Sequence, residues 1–221
     1  MRERLERAIA IALVVCAGSG AAATAAGSLP AVQTSRGCYL VGQSVSLTGK
    51  GFAPSRTYDV TVDGVDFGQS RTDSTGALSA RFIPGGLGAG VVQSIDRLEV
   101  SDGSGVARAG FTVTRQTGAR FEASRGNPRR LRAPFQAWGF ALDGTPHPLY
   151  LHYVSPAGKP RSTVPLGRAA GQCGYLRTPP MRLFPFSASV GRWTLQVDTQ
   201  PGYAARPAGP LARIVVVIAR G

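Results

Sequence analysis

From Ser44 onward, apolar and polar residues alternate in short runs. Val45 and Leu47 alternate with Ser44, Ser46 and Thr48, and Tyr58, Val60 and Val62 alternate with Thr57, Asp59 and Thr61. A period of two puts one set on each face of a strand, so each run predicts a strand with one buried face. Turn residues punctuate the runs. Asp63-Gly64 suits the positive φ angles of a tight hairpin, and residues 73–76 and 101–105 carry two further turn signatures. Leu78, Ala80 and Phe82, then Leu98 and Val100, then Phe111 and Val113 complete a first set of strands.

The second half repeats the theme with longer loops. Leu131, Ala133, Phe135 and Ala137 alternate with their neighbours, and Leu149, Leu151 and Tyr153 face away from Tyr150, His152 and Val154. The turn Ser155-Pro156-Ala157-Gly158 leads to Val164 and Leu166, and Trp193, Leu195 and Val197 alternate with Thr194, Gln196 and Asp198. Residues 214–218 are apolar without alternation, which predicts a terminal strand buried on both faces. No stretch beyond residue 26 sustains a 3.6-residue apolar period. Strands separated by turns at this spacing predict an all-β protein of two tandem β-sandwiches, residues 31–115 and 118–221, with a linker near 114–118. A weak repeat agrees with tandem copies: Ser35-Arg36-Gly37 recurs as Ser124-Arg125-Gly126, and Gly51-Phe52-Ala53 recurs as Gly139-Phe140-Ala141.

The first 26 residues read as an address. Arg2, Arg4 and Arg7 precede an apolar run from residue 8 to 17, and small residues follow to Gly27. This order predicts a secretory signal peptide, residues 1–26, cleaved near Ala25 or Ala26. The apolar core is too short for a membrane span and is broken by Gly18, Ser19 and Gly20, and Val15 suits a lipoprotein site at Cys16 poorly. Membrane contact is therefore expected only through this segment before cleavage. Export leads to an oxidising space and leaves two cysteines, Cys38 and Cys173, an even count compatible with one disulfide.

The formal charge of +13 is unevenly spread. Residues 31–115 hold eight basic and seven acidic side chains, whereas residues 116–221 hold fourteen basic ones against Glu122, Asp143 and Asp198. An Arg bias of the genome would load both halves alike. The densest cluster is Arg125, Arg129, Arg130 and Arg132, with Arg120 nearby and Phe135, Trp138, Tyr150 and Tyr153 as neighbouring aromatics. Basic groups among aromatics predict polyanion binding, and a solvated strand edge protected by charge is the plainer reading.

The first half resembles bacterial secreted and surface immunoglobulin-like repeats of the IPT/TIG-like group. The resemblance rests on Val45-Ser46-Leu47-Thr48-Gly49-Lys50-Gly51-Phe52-Ala53-Pro54, on Val60-Thr61-Val62-Asp63-Gly64 and on Thr72-Asp73-Ser74-Thr75-Gly76, within residues 38–114. The second half resembles a diverged relative, through Gly139-Phe140. The resemblance implies immunoglobulin-like sandwiches and a spacer, adhesion or accessory role; a fold of this kind does not fix a function.

Other constellations carry less. Gly49-Lys50-Gly51 and the glycines at 85, 86, 88 and 90 lack the strand–loop–helix setting of a phosphate loop. His147 and His152 are the only histidines, five apart, and predict no shared metal site. Cys173 with His152 could form a thiol and base, but a disulfide or buried thiol fits the compartment better. Asp63, Asp66 and Asp73 do not match a calcium loop. No catalytic, metal or cofactor-binding residue is expected. The expected function is a non-enzymatic, secreted or cell-surface binding or structural module. Its partner is an anionic envelope polymer or another surface protein, not nucleic acid. The alternative is a hydrolase or transferase with its site near the loop of residues 166–186.

Overall fold

The computed structural model describes residues 29–122 and 126–220. The expected signal segment, residues 1–26, lies outside the described residues. Strands, turns and irregular segments make up what is described, without a helix among the described residues.

The first half contributes β1 (Ala31–Thr34), β2 (Cys38–Leu40), β3 (Val45–Lys50), β4 (Thr57–Val62), β5 (Val65–Arg71), β6 (Leu78–Phe82), β7 (Gln93–Ser101) and β8 (Val106–Thr114). They form a three-stranded sheet, β1-β3-β6, and a five-stranded sheet, β2-β8-β7-β4-β5. The first strand is split between the sheets: β1 pairs antiparallel with β3, and β2 pairs parallel with β8. The order is the one that defines immunoglobulin-like sandwiches, with the second and fifth principal strands on one sheet and the third, sixth and seventh on the other. The alternating apolar sets meet between the sheets. Leu47, Tyr58, Leu98, Val100, Phe111 and Val113 are all buried in one cluster. Asp63 and Gly64 both take positive φ, 48° and 78°, and close the β4–β5 hairpin.

The second half contributes β9 (Gly118–Phe121), β10 (Arg132–Ala133), β11 (Phe135–Trp138), β12 (Pro148–Val154), β13 (Pro160–Arg168), β14 (Leu176–Arg177), β15 (Met181–Arg182), β16 (Gly191–Asp198) and β17 (Ala212–Ile218). A four-stranded sheet, β13-β12-β16-β17, faces a three-stranded one, β14-β11-β9, and β10 and β15 form a separate pair. This sandwich has its own core, in which Tyr153, Phe184, Phe186 and Trp193 pack edge-on or tilted at 5.3–5.8 Å.

Two expected features differ. The alternation over 131–137 does not make one strand. Pro134 has no N–H to continue a ladder, and the chain changes sheet there, β10 pairing with β15 and β11 with β9 and β14. Residues 214–218 are not buried on both faces. They belong to an edge strand, β17, whose outer face leaves Val215 48% and Val217 65% exposed. An unbroken apolar run cannot by itself tell an edge strand from a central one.

The sandwiches meet at several points. The Cys38 and Cys173 sulfurs are bonded, with Cα atoms 5.2 Å apart, within the usual disulfide range. Beside the bond, the Thr112 hydroxyl donates to Gln172 Oε1 at 3.2 Å, and Gln172 lies so close to Gly37 that a side chain there would meet it at 2.9 Å. In the linker, Arg115 donates to the carbonyls of Leu87, Gly88 and Val91. Arg120 of the second sandwich donates to the Gly90 carbonyl of the first.

Candidate functional site: a basic face on the second sandwich

Arg129 and Arg130 lie in a turn built by Asn127. Its side-chain oxygen accepts from the Arg129 N–H at 3.0 Å, and its carbonyl accepts from Arg130 and Leu131. The turn sends Leu131 against the core and leaves both arginines exposed. Arg132 follows on β10 and stands directly across from Arg182 on β15. Like charges in such a pair repel, unless an anion lies between them. Arg129 and Arg182 line an open cleft of about 600 Å³ with Phe184, Pro185, Phe186 and Ser187. Arg125 lies outside the described residues.

Four other basic residues of this half, Arg120, Arg168, Arg177 and Arg213, are committed to the fold, and Arg132 itself donates to the Pro180 carbonyl. Arg177 grips Glu122 through two hydrogen bonds and holds its carboxyl below the ordinary range. Arg120 bonds Gln136 and lies over the Trp138 ring. Arg168 caps the Pro146 carbonyl, and Arg213 bonds Gln196 and Ala205. Arg129, Arg130 and Arg182 take part in no ion pair among the described residues.

Of the expected aromatic partners, Tyr150 is half-buried on β12, and the other three serve the fold. Phe135 and Tyr153 are fully buried core residues, and the Trp138 indole N–H is bound to the Gln116 carbonyl. Phe186, half-buried in the cleft wall, is the aromatic beside Arg129. Sequence reading missed Arg182 and Phe186. Only the β10–β15 pairing brings residues 50 positions apart to Arg132.

His152 is fully buried. Its Nε2 faces Asp198 Oδ1 at 3.2 Å and the Gln200 carbonyl at 3.1 Å, and its Nδ1 lies 2.8 Å from the Thr163 hydroxyl. Two acceptors at Nε2 place a proton there, and the Thr163 hydroxyl meets the ring at Nδ1. Gln196 completes the network by donating to Asp198 and to the Ala204 carbonyl, and Tyr203 packs edge-on against the imidazole. A hydroxyl, an imidazole and a carboxylate thus stand in line, but the last two are covered by residues 199–206. Their chemistry is to pin that segment across the outer face of the sheet. Cys173 is held in the disulfide and is no partner for His152. His147 stands before β12 and meets Asp143 at 3.7 Å.

The loop of residues 166–186 buries Ala169, Cys173, Leu183 and Phe184, leaves Arg168, Arg177, Pro179 and Pro180 exposed, and at its end lines the cleft beside Arg129. Asp66 and Asp73 serve their own turns, accepting from Gly68 and from Thr75 and Ala77. Among the described residues, no group of three or more His, Cys, Asp or Glu side chains is placed to hold a metal ion.

The fold and this face describe an all-β protein of two tandem immunoglobulin-like sandwiches with a cationic second body. No family model matches the chain, and no curated protein does. Among solved structures it is similar to a tetra-tandem repeat in the extending region of a large adhesion protein, at 10% identity and a TM-score of 0.30, over 86% of this chain. The chain spans about half the length of that structure, 49%.

Proposed function

We propose that the protein is an exported, non-enzymatic binding module that holds an anionic polymer of the cell envelope on its second sandwich. The observation that carries this reading is the set of exposed arginines, Arg129, Arg130, Arg132 and Arg182, gathered by one turn and one strand pair, with no carboxylate among the described residues in an ion pair with them. The planar guanidinium fork suits phosphate and carboxylate oxygens. The Arg132–Arg182 pair is a standing repulsion that a bound anion would relieve. The charged, apolar and small-residue order of the first 26 residues supports export, as does a cross-link suited to an oxidising space.

The test is a binding isotherm of the exported chain for polyphosphate and for polygalacturonate at 50 and 200 mM salt. Arg129→Ser/Arg130→Ser/Arg132→Ser serves as the comparison. Condensed counterions are released on binding, so affinity falls as salt rises, and the triple change flattens that slope. Affinity indifferent to both salt and substitution would overturn the reading.

A further inference from the structure

At one end of the first sandwich, strands β4, β5 and β7 of the five-stranded sheet leave a gap beside the loop of residues 85–91. A cleft of about 400 Å³ lies there, walled by Val62, Phe67, Leu87 and Val91, with Asp63 and Asp96 among its lining. Asp96 occupies a core position. It continues the inward-facing set of β7 that includes Leu98 and Val100, stands across from the fully buried Phe111, and is 8% exposed. Its neighbour on β7, Arg97, is exposed, as the alternation of a strand requires.

A carboxylate at such a position needs compensation. Asp96 has one hydrogen bond from the Ser94 hydroxyl, at 2.6 Å. Among the described residues, neither Asp96 nor Asp63 takes part in an ion pair, in a chain with 25 basic residues. Burial, and next the charge of Asp63, push the Asp96 carboxyl above its ordinary range, against the Ser94 bond. A cation is what this corner lacks.

The cleft is held in shape. Its rim is the run Gly85-Gly86-Leu87-Gly88-Ala89-Gly90, and Arg115 clamps that run through the Leu87, Gly88 and Val91 carbonyls at 3.3, 3.1 and 2.9 Å. At its mouth Val65 is 61% exposed and Val91 42%. A concave, mostly apolar site of this size with one oriented polar group is the usual form of a small-ligand pocket.

We propose that this cleft binds an organic cation on a short apolar stem, with its ammonium or guanidinium on Asp96 and its stem between Phe67, Val62 and Leu87. The site lies on the other sandwich from the basic face, has the opposite charge preference, and stands or falls independently of it. A free alkylamine and a lysine or arginine side chain of a partner share this chemistry.

The experiment is calorimetric titration of the exported full chain at pH 7 with n-hexylammonium, n-hexanol and the peptide Ala-Lys-Ala. Hexylammonium binds at least about tenfold more tightly than hexanol, the factor expected for a charge-assisted hydrogen bond. Asp96→Asn removes that tenfold preference and leaves hexanol binding in place, which separates loss of the charge from loss of the fold. Phe67→Ala weakens both probes alike. Peptide binding as tight as hexylammonium identifies the occupant as a partner's side chain, and tighter hexylammonium binding identifies it as a free amine. Equal affinity for hexylammonium and hexanol, absence of hexylammonium binding, or an unchanged preference in Asp96→Asn overturns the proposal.

Discussion

The backbone N–H of Phe140 donates to the carbonyl of Gly174 at 3.3 Å, and Phe52 makes the same bond to Gly76 at the same distance. Both phenylalanines are buried just after the second principal strand of their sandwich, and both partner glycines hold positive φ, 67° and 78°. The faint repeat of Gly-Phe-Ala is thus a repeat of one packing device, in which a loop glycine is pressed directly onto the backbone at a core phenylalanine.

Gly174→Ala tests that device. The added Cβ would lie 2.3 Å from the Ala141 nitrogen in a left-handed conformation. The variant should lose about 2 kcal/mol or more of stability, measured as a shift in the urea midpoint at unchanged slope. Gly144→Ala has open space around its Cβ and the same backbone sign, and should lose about 1 kcal/mol from the conformation alone.

Acid should weaken the first sandwich through Asp102. Burial raises this carboxyl's pKa, but bonds from the Ala53 N–H, the Ser104 hydroxyl and N–H, and the Gly105 N–H outweigh it and bring the value down to about 2. A depressed folded value means the charged form stabilises the fold. That contribution, about 2 kcal/mol by linkage, is complete above the ordinary value of 3.8 and is lost as pH falls from about 4 to 2. Asp102→Asn should flatten the stability curve over that window and lower stability at pH 7, as followed by thermal melts.

Opening the disulfide should loosen the junction between the sandwiches without unfolding either. Each has its own buried core, and the bond spans 135 residues of sequence between them. Cys173→Ser should leave the amide spectra of both halves folded while their rotational correlation times separate in NMR relaxation. The tie removes about 5 kcal/mol of chain entropy from the fully unfolded ensemble, so denaturation of the whole chain shifts to lower urea.

His152→Leu should strand a buried carboxylate. Asp198 is fully buried and would keep Gln196 and the Gln200 N–H but lose the imidazole. A loss of about 3 kcal/mol is expected in urea unfolding. The double variant His152→Leu/Asp198→Leu should recover part of it, because no charge is then left behind; a double variant no more stable than the single one would count against this reading.

Strand alternation and turn residues made the architecture readable, because a period of two and a left-handed turn are local properties. Asp63-Gly64 marks its hairpin without help from the rest of the chain. What stayed hidden depends on which strands become neighbours. The split at Pro134, the open outer face at Val215 and Val217, and the approach of Arg182 to Arg132 all follow from pairings between distant segments. The arginine cluster was visible as a run, yet its aromatic neighbours in sequence, Phe135 and Tyr153, point into the core. Asp96 could have been noticed as a charge in register with Leu98 and Val100.

The two tryptophans both belong to the second sandwich: Trp193 sits in the aromatic cluster of its core, and Trp138 ends β11 under the guanidinium of Arg120. The first sandwich has only tyrosine and phenylalanine, with Tyr39 and Tyr58 fully buried. Intrinsic fluorescence is therefore a built-in optical label for half of the molecule. Emission excited at the indole band follows the melting of the second sandwich, and the first reaches that channel only through contacts between the two, such as the Arg120 bond to the Gly90 carbonyl beside Trp138. Any response of the indole signal to a substitution in the first sandwich, such as Gly76→Ala, is a readout of how strongly the disulfide, the Thr112–Gln172 bond and the Arg120–Gly90 bond together couple the two halves.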